Sequence, residues 1–199
     1  MAIHDHALIR TAGPLWEGAT HALFLDALAT GSLAEDAFRR WLAQDYLFAK
    51  GLLAFQAILL SKAPRDCHNP LIGGLVAIDK EMAWFESHAA RLPVDLDIAP
   101  HATCQRYTDF LTRCTYTEPY PVLLAILFAV EASYLGAWSA LPGTGAYAEF
   151  IARWSSPDFA RYVTVLGGLT VRYSHPLAQK YFNEVLVHER AFWGMALEG

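Results

Sequence analysis

Three acidic residues sit inside aromatic stripes at helical spacing. Asp45 falls with Phe38, Trp41, Phe48, Leu52 and Phe55; Glu131 with Phe128, Tyr134, Leu135 and Trp138; Glu189 with Phe182, Val185, Phe192 and Trp193. Side chains three, four and seven apart share one helix face, so each carboxylate is expected to point the same way as its rings. A buried polar group without a partner costs about 1 to 3 kcal/mol, and an uncompensated charge costs more. Each acid could be satisfied singly by a tyrosine hydroxyl, a tryptophan N–H or one of the few basic residues. Three on separate helices suggest instead that they converge on one central pocket. Aromatic walls would stack on a flat ring there, and the carboxylates would accept hydrogen bonds from its amino and ring N–H groups. That chemistry suits a small, neutral to cationic, nitrogen-rich heteroaromatic and repels phosphates and carboxylates.

Other site chemistries have less support. The carboxylate-bridged di-iron pattern of helical bundles needs Glu-x-x-His on two helices. The chain offers Glu86-Ser-His88 and Glu184-x-x-x-His188, whose spacing differs, and His4-Asp5-His6 falls at a terminus expected to be mobile. No metal site and no cofactor are expected. His21, His68, His101 and His175 fall near helix ends, where capping or surface roles are expected. No Ser or Cys shares an evident active face with a His, so triad chemistry lacks a basis. Cys67, Cys104 and Cys114 are odd in number and form no C-x-x-C pair, which reads as free thiols in a reducing compartment.

Proline and glycine cut the chain into helical lengths. The Ser32/Glu35 spacing reads as a capping box opening a long helix from about Leu33 to Lys62, closed before Ala63-Pro64. Further helices are expected from Asn69-Pro70 to Leu92, Ala102 to Cys114, Pro121 to Leu141, Tyr147 to Trp154, after the Ser156-Pro157 cap, and from Pro176 to about Ala196. Period-two segments are scarce; the closest, Tyr162 to Leu166, lies inside a plausible helix. The fold class is all-α, a bundle of seven or eight helices in a single domain spanning residues 1–199.

Composition agrees with a packed domain. The 199 residues are 54% hydrophobic and 18% charged, with 11 Phe, 6 Trp and 9 Tyr, which excludes disorder. A net charge of -5 without any basic cluster argues against nucleic acid as a partner. Tyr120 to Trp138 is nearly long enough to cross a membrane, but its central Glu131, opening Pro121 and lack of basic flanks favour a buried core helix. With no basic, apolar leader at its start, the chain is expected to be cytoplasmic and to have no membrane partner. Its apolar richness favours a symmetric homo-oligomer.

The runs WLAQDYLFAKGLLAF (41–55), RYTDFL (106–111), EASYLGAW (131–138), YAEFIARWSSPDF (147–159) and HERAFWGMA (188–196) together resemble the TenA family, also called thiaminase II or aminopyrimidine aminohydrolase. The resemblance covers almost the whole chain and implies a haem-oxygenase-like helical bundle that assembles as a homodimer or homotetramer. It also implies a thiamin-salvage hydrolase acting on amino- or formylamino-methyl pyrimidines and releasing ammonia or formate. By the same resemblance Asp45 contacts the aminopyrimidine edge, Phe48 forms an aromatic wall, Tyr107 and Tyr134 are pocket tyrosines, and Glu189 is the C-terminal catalytic glutamate. The family's nucleophilic cysteine would lie four residues before Tyr134, where this chain has Val130 followed by Glu131, and Trp154 stands where a tyrosine is usual. Loss of the thiol speaks against thiaminase activity and for the branch carrying a glutamate instead. Glu131 and Glu189 are then expected to divide the base and acid work, with pKa values pushed up and apart by an apolar site. The competing readings are a non-catalytic pyrimidine binder and a haem-oxygenase-like metal oxidase related to the PqqC group.

Overall fold

The structure is a computed structural model that describes residues 3–198. Ten α-helices and two short 3-10 turns account for the ordered elements among those residues, and none of them is a strand. The helices are α1 (Ala7–Ala12), α2 (Pro14–Thr20), α3 (Leu23–Thr30), α4 (Glu35–Lys62), α5 (His68–Arg91), α6 (Ala102–Thr117), α7 (Tyr120–Ser139), α8 (Ala148–Trp154), α9 (Pro157–Arg172) and α10 (Ala178–Met195). The sequence expectation of seven or eight helices is short by the N-terminal helices, which Gly13-Pro14 and residues 21–22 divide into pieces of six to eight residues. Such pieces are too short to show clear periodicity.

The capping-box expectation is corrected. Gly31 takes a left-handed conformation (φ 73°), and the Ser32 N–H bonds back to the Ala27 carbonyl at 2.9 Å. Ser32 therefore closes α3 in a Schellman-type turn instead of opening α4, whose N-cap is Ala34 with no side-chain cap. The Ser156-Pro157 reading holds: the Ser156 hydroxyl accepts from the Phe159 N–H at 3.4 Å, and Pro157 occupies the first turn of α9. His101 likewise caps α6, its Nδ1 accepting from the Thr103 N–H at 3.2 Å.

The chain divides into two compact units: Met1–Leu33 with Pro121–Gly194, and Ala34–Tyr120 with Met195–Gly199. In the second unit α4 is the spine. Phe38, Trp41, Asp45, Phe48, Leu52, Phe55 and Leu59 are buried at intervals of three and four, an apolar stripe that only Asp45 interrupts. The chain returns along α5 and then runs α6 parallel to α4, since Gln44 meets Cys104, Phe48 meets Tyr107 and Gly51 meets Thr108 in ascending order.

In the first unit α7 is the core helix. Val122 to Phe128 are essentially inaccessible, and 78% of its most apolar stretch is buried, so its membrane-like composition serves a protein interior. Gly136 allows α2 close: a Cβ there would lie 3.0 Å from Trp16 and 3.1 Å from Thr20. The expectation of a mobile His4-Asp5-His6 segment is overturned at His6. This ring is buried, its Nδ1 accepts from the Leu8 N–H, and its Nε2 lies 3.2 Å from the Gly167 carbonyl and 3.1 Å from the Thr170 hydroxyl. It also packs on Phe128 at 4.5 Å, fastening the chain start to α7 and α9.

Candidate active site

Within the second unit, Asp45 lies in the α4 stripe and is 7% exposed, as its spacing implied. Phe48, one turn on, packs against Tyr107 of α6 at 4.6 Å between ring centroids. The approach of these helices depends on Gly51, where a Cβ would come within 2.7 Å of the Thr108 methyl. Gln44 fixes the other end: its Oε1 accepts from the His101 N–H at 2.8 Å, and its Nε2 donates to the Ala99 carbonyl at 3.3 Å. Asp45, Phe48 and Tyr107 are thus positioned together by the α4–α6 pair.

Cys104 belongs to this group. Its thiol faces the Gln44 carbonyl at 3.5 Å, and burial, with a smaller contribution from the Asp45 charge, pushes its pKa up to about 12. At pH 7 such a thiol is ionised only to about one part in a hundred thousand. It therefore offers almost no thiolate for nucleophilic attack at neutral pH. The remaining thiols, Cys67 and Cys114, are also buried.

Within the first unit, Tyr134 sits among four other rings. Trp154 meets it edge-on at 5.5 Å, Phe159 edge-on at 6.5 Å and Trp138 at 5.9 Å, while Trp193 lies nearly parallel to it at 6.2 Å. Trp193 is held in place by donating its indole N–H to the Ala19 carbonyl at 2.9 Å and by stacking on Phe24 at 5.6 Å. Trp154 also leans on Trp138 at 4.4 Å. A tryptophan where the resemblance expects a tyrosine thus completes an aromatic wall.

Glu131 lies one turn before Tyr134 and is half-buried, more open than a core position. Glu189 is 5% exposed, one turn before Trp193 on α10. The structure therefore groups Glu131, Tyr134 and Trp154 around the α7–α8–α9 packing and places Glu189 on the helix that carries the Tyr134 stacking partner. Among the described residues no group of three or more His, Cys, Asp or Glu side chains could hold a metal ion.

One polar group escaped sequence reading. Tyr162 on α9 follows Phe159 by three residues and so shares its face; burial first, then the Glu131 charge, raises its pKa well above 10. The aromatic spacing Phe159/Tyr162 on a strongly amphipathic helix carried the signal, but reading Tyr162 to Leu166 for strand-like alternation obscured it.

Solved structures share this architecture. A TenA homologue from Pyrococcus furiosus superposes with a TM-score of 0.90 at 28% identity, covering 95% of this chain and 97% of its own. A TenA homologue from P. horikoshii OT3 gives 0.86 at 22% identity, with 98% of both chains covered. The fold is thus the haem-oxygenase-like helical fold of TenA proteins. The family description TENA/THI-4/PQQC matches residues 9–199, and the chain belongs to that family. A Glycine max relative named "Probable bifunctional TENA-E protein" is 26% identical over 201 residues, covering 92% of this chain and 88% of the relative.

Proposed function

We propose that this protein is a thiamin-salvage hydrolase of amino- or formylamino-methyl pyrimidines, releasing ammonia or formate without a covalent cysteine adduct. Glu131 carries the reading: a carboxylate stands beside Val130 at the turn where the family's thiol would be, one turn from a tyrosine walled by rings. Family membership and the TENA-E name of the soybean relative support the thiamin role. We assign Asp45, Phe48 and Tyr107 to recognition of the pyrimidine ring, with Asp45 accepting from its amino edge. Tyr134 and Trp154 are assigned to the aromatic wall, and Glu131 and Glu189 to proton transfer. The base takes a proton from water as its oxygen attacks, and the acid returns one to the departing nitrogen. We further propose that residues 1–199 act as one functional domain in a cytoplasmic homodimer or homotetramer, which light scattering on the purified chain tests.

The direct test incubates the purified chain with aminomethyl- and formylaminomethyl-pyrimidines and measures ammonia and formate. Release of either at a rate that scales with enzyme upholds the reading. The suppressed ionisation of Cys104, the thiol nearest Asp45, also favours a second reading, a pyrimidine binder without turnover. Saturable binding with neither product formed would select it.

A further inference from the structure

Helices α7 and α9 run antiparallel past one another. Tyr134 meets Phe159 at one end, and at the other Gly167 lies so near Phe128 that a Cβ would be 3.1 Å from that ring. One turn in from the first contact, on both helices, come Glu131 and Tyr162. Their proximity is also registered electrically, since the carboxylate raises the phenol's pKa in addition to burial. The Tyr162 hydroxyl oxygen is itself buried, and no group among the described residues hydrogen-bonds it. Its ionisation is suppressed, so at neutral pH it can act only as an O–H dipole, a donor with its proton in place. Phenylalanine would fill the same space without burying an unmatched polar atom, so the hydroxyl itself needs an explanation.

We propose that Tyr162 donates its O–H to the formyl oxygen of a formylaminomethyl-pyrimidine whose formyl carbon lies beside Glu131, and that it thereby favours formamide over plain amine substrates. The inference rests on the hydrolase reading above. A neutral donor next to a basic carboxylate is the pairing that amide hydrolysis uses. Glu131 removes a proton from water as the water oxygen bonds to the formyl carbon, and the carbonyl π pair moves onto the oxygen facing Tyr162. Collapse re-forms the C=O and breaks the C–N bond. The nitrogen takes a proton from Glu189, and formic acid and the aminomethyl-pyrimidine leave. Formic acid ionises to formate in solvent, and the proton on Glu131 returns through solvent to Glu189. The amine substrate has no oxygen on its reacting carbon and gains nothing comparable from the phenol. Removing one such oxyanion donor typically costs a hundred- to a thousandfold in rate.

The test compares kcat/KM for the two substrates in the wild-type chain and in Tyr162→Phe, with melting temperatures alongside. The formylamino-to-amino ratio should fall by about a hundredfold or more in the variant, without a lower melting temperature. An unchanged ratio, whether both activities fall together or neither does, overturns the proposal. So does a wild-type chain that hydrolyses only the amine. If the wild type turns over neither substrate, the hydrolase reading fails, and calorimetric affinities of the same two pyrimidines decide the role of Tyr162. A selective loss of formylamino binding in the variant upholds the donor; equal loss, no loss or no binding overturns it.

Discussion

Replacing Gly51 with alanine is the sharpest probe of how α4 and α6 set the Phe48–Tyr107 wall. An added Cβ would sit 2.7 Å from the Thr108 methyl and 3.2 Å from its Cβ, the first of which real structures do not tolerate. Overpacking of this kind costs about 1 to 3 kcal/mol. Alanine recovers about 1 kcal/mol through helix propensity, leaving a net loss of about 0 to 2 kcal/mol for Gly51→Ala. Thr108→Ser removes the offending methyl but keeps the hydroxyl that donates to the Cys104 and Gln105 carbonyls at 3.2 and 3.0 Å. In the double variant the clash is relieved, so the two substitutions should couple favourably by about 1 to 2 kcal/mol in urea unfolding. Affinity for an aminomethyl-pyrimidine should drop in Gly51→Ala and recover in the double variant. If the two free energies simply add within about 0.5 kcal/mol, the close approach at Gly51 does not set this packing.

His6 makes acid stability a readout of the chain start. Its Nδ1 accepts from Leu8 and its Nε2 faces the Gly167 carbonyl, so the buried ring is neutral, and burial lowers its pKa despite the opposing carbonyl. The stability it contributes should be fully present above its unfolded value of about 6.5 and be lost as pH falls below it, and His6→Asn should flatten that part of the melting-temperature profile. An identical profile in the variant would refute the role. Cys104, with its pKa of about 12, should resist iodoacetamide at pH 7 in the native protein and react after unfolding. Cys104→Ala should retain turnover, and a loss of a hundredfold or more would reinstate thiol chemistry.

Much of the fold was legible because its long helices carry regular stripes. The α4 pattern from Phe38 to Leu59 fixed both the helix and the burial of Asp45, and Pro64 marked its end. The N-terminal helices were illegible for the opposite reason: six to eight residues hold too few turns for periodicity to emerge. Ser32 misled because the Schellman closure uses only its backbone N–H, which leaves no mark in the residue type, and only the left-handed Gly31 decides against a capping box. The aromatic partners of Tyr134 come from α7, α8, α9 and α10, so helix spacing could nominate each ring but not assemble them. Tyr162 shows the same limit, because its significance lies in a neighbour 31 positions away. His6 reads as a terminal residue in the sequence and becomes a core residue only through contacts with α7 and α9.

The central claim, that Glu131 does the work of the missing thiol, is tested most directly by Glu131→Gln. Glutamine preserves the shape of a half-buried side chain and removes its ability to accept and return a proton. Hydrolysis of the aminomethyl- and formylaminomethyl-pyrimidines should fall by about a hundred- to ten-thousandfold, with the melting temperature and product affinity retained. Turnover within a few-fold of the wild type on both substrates would contradict the account.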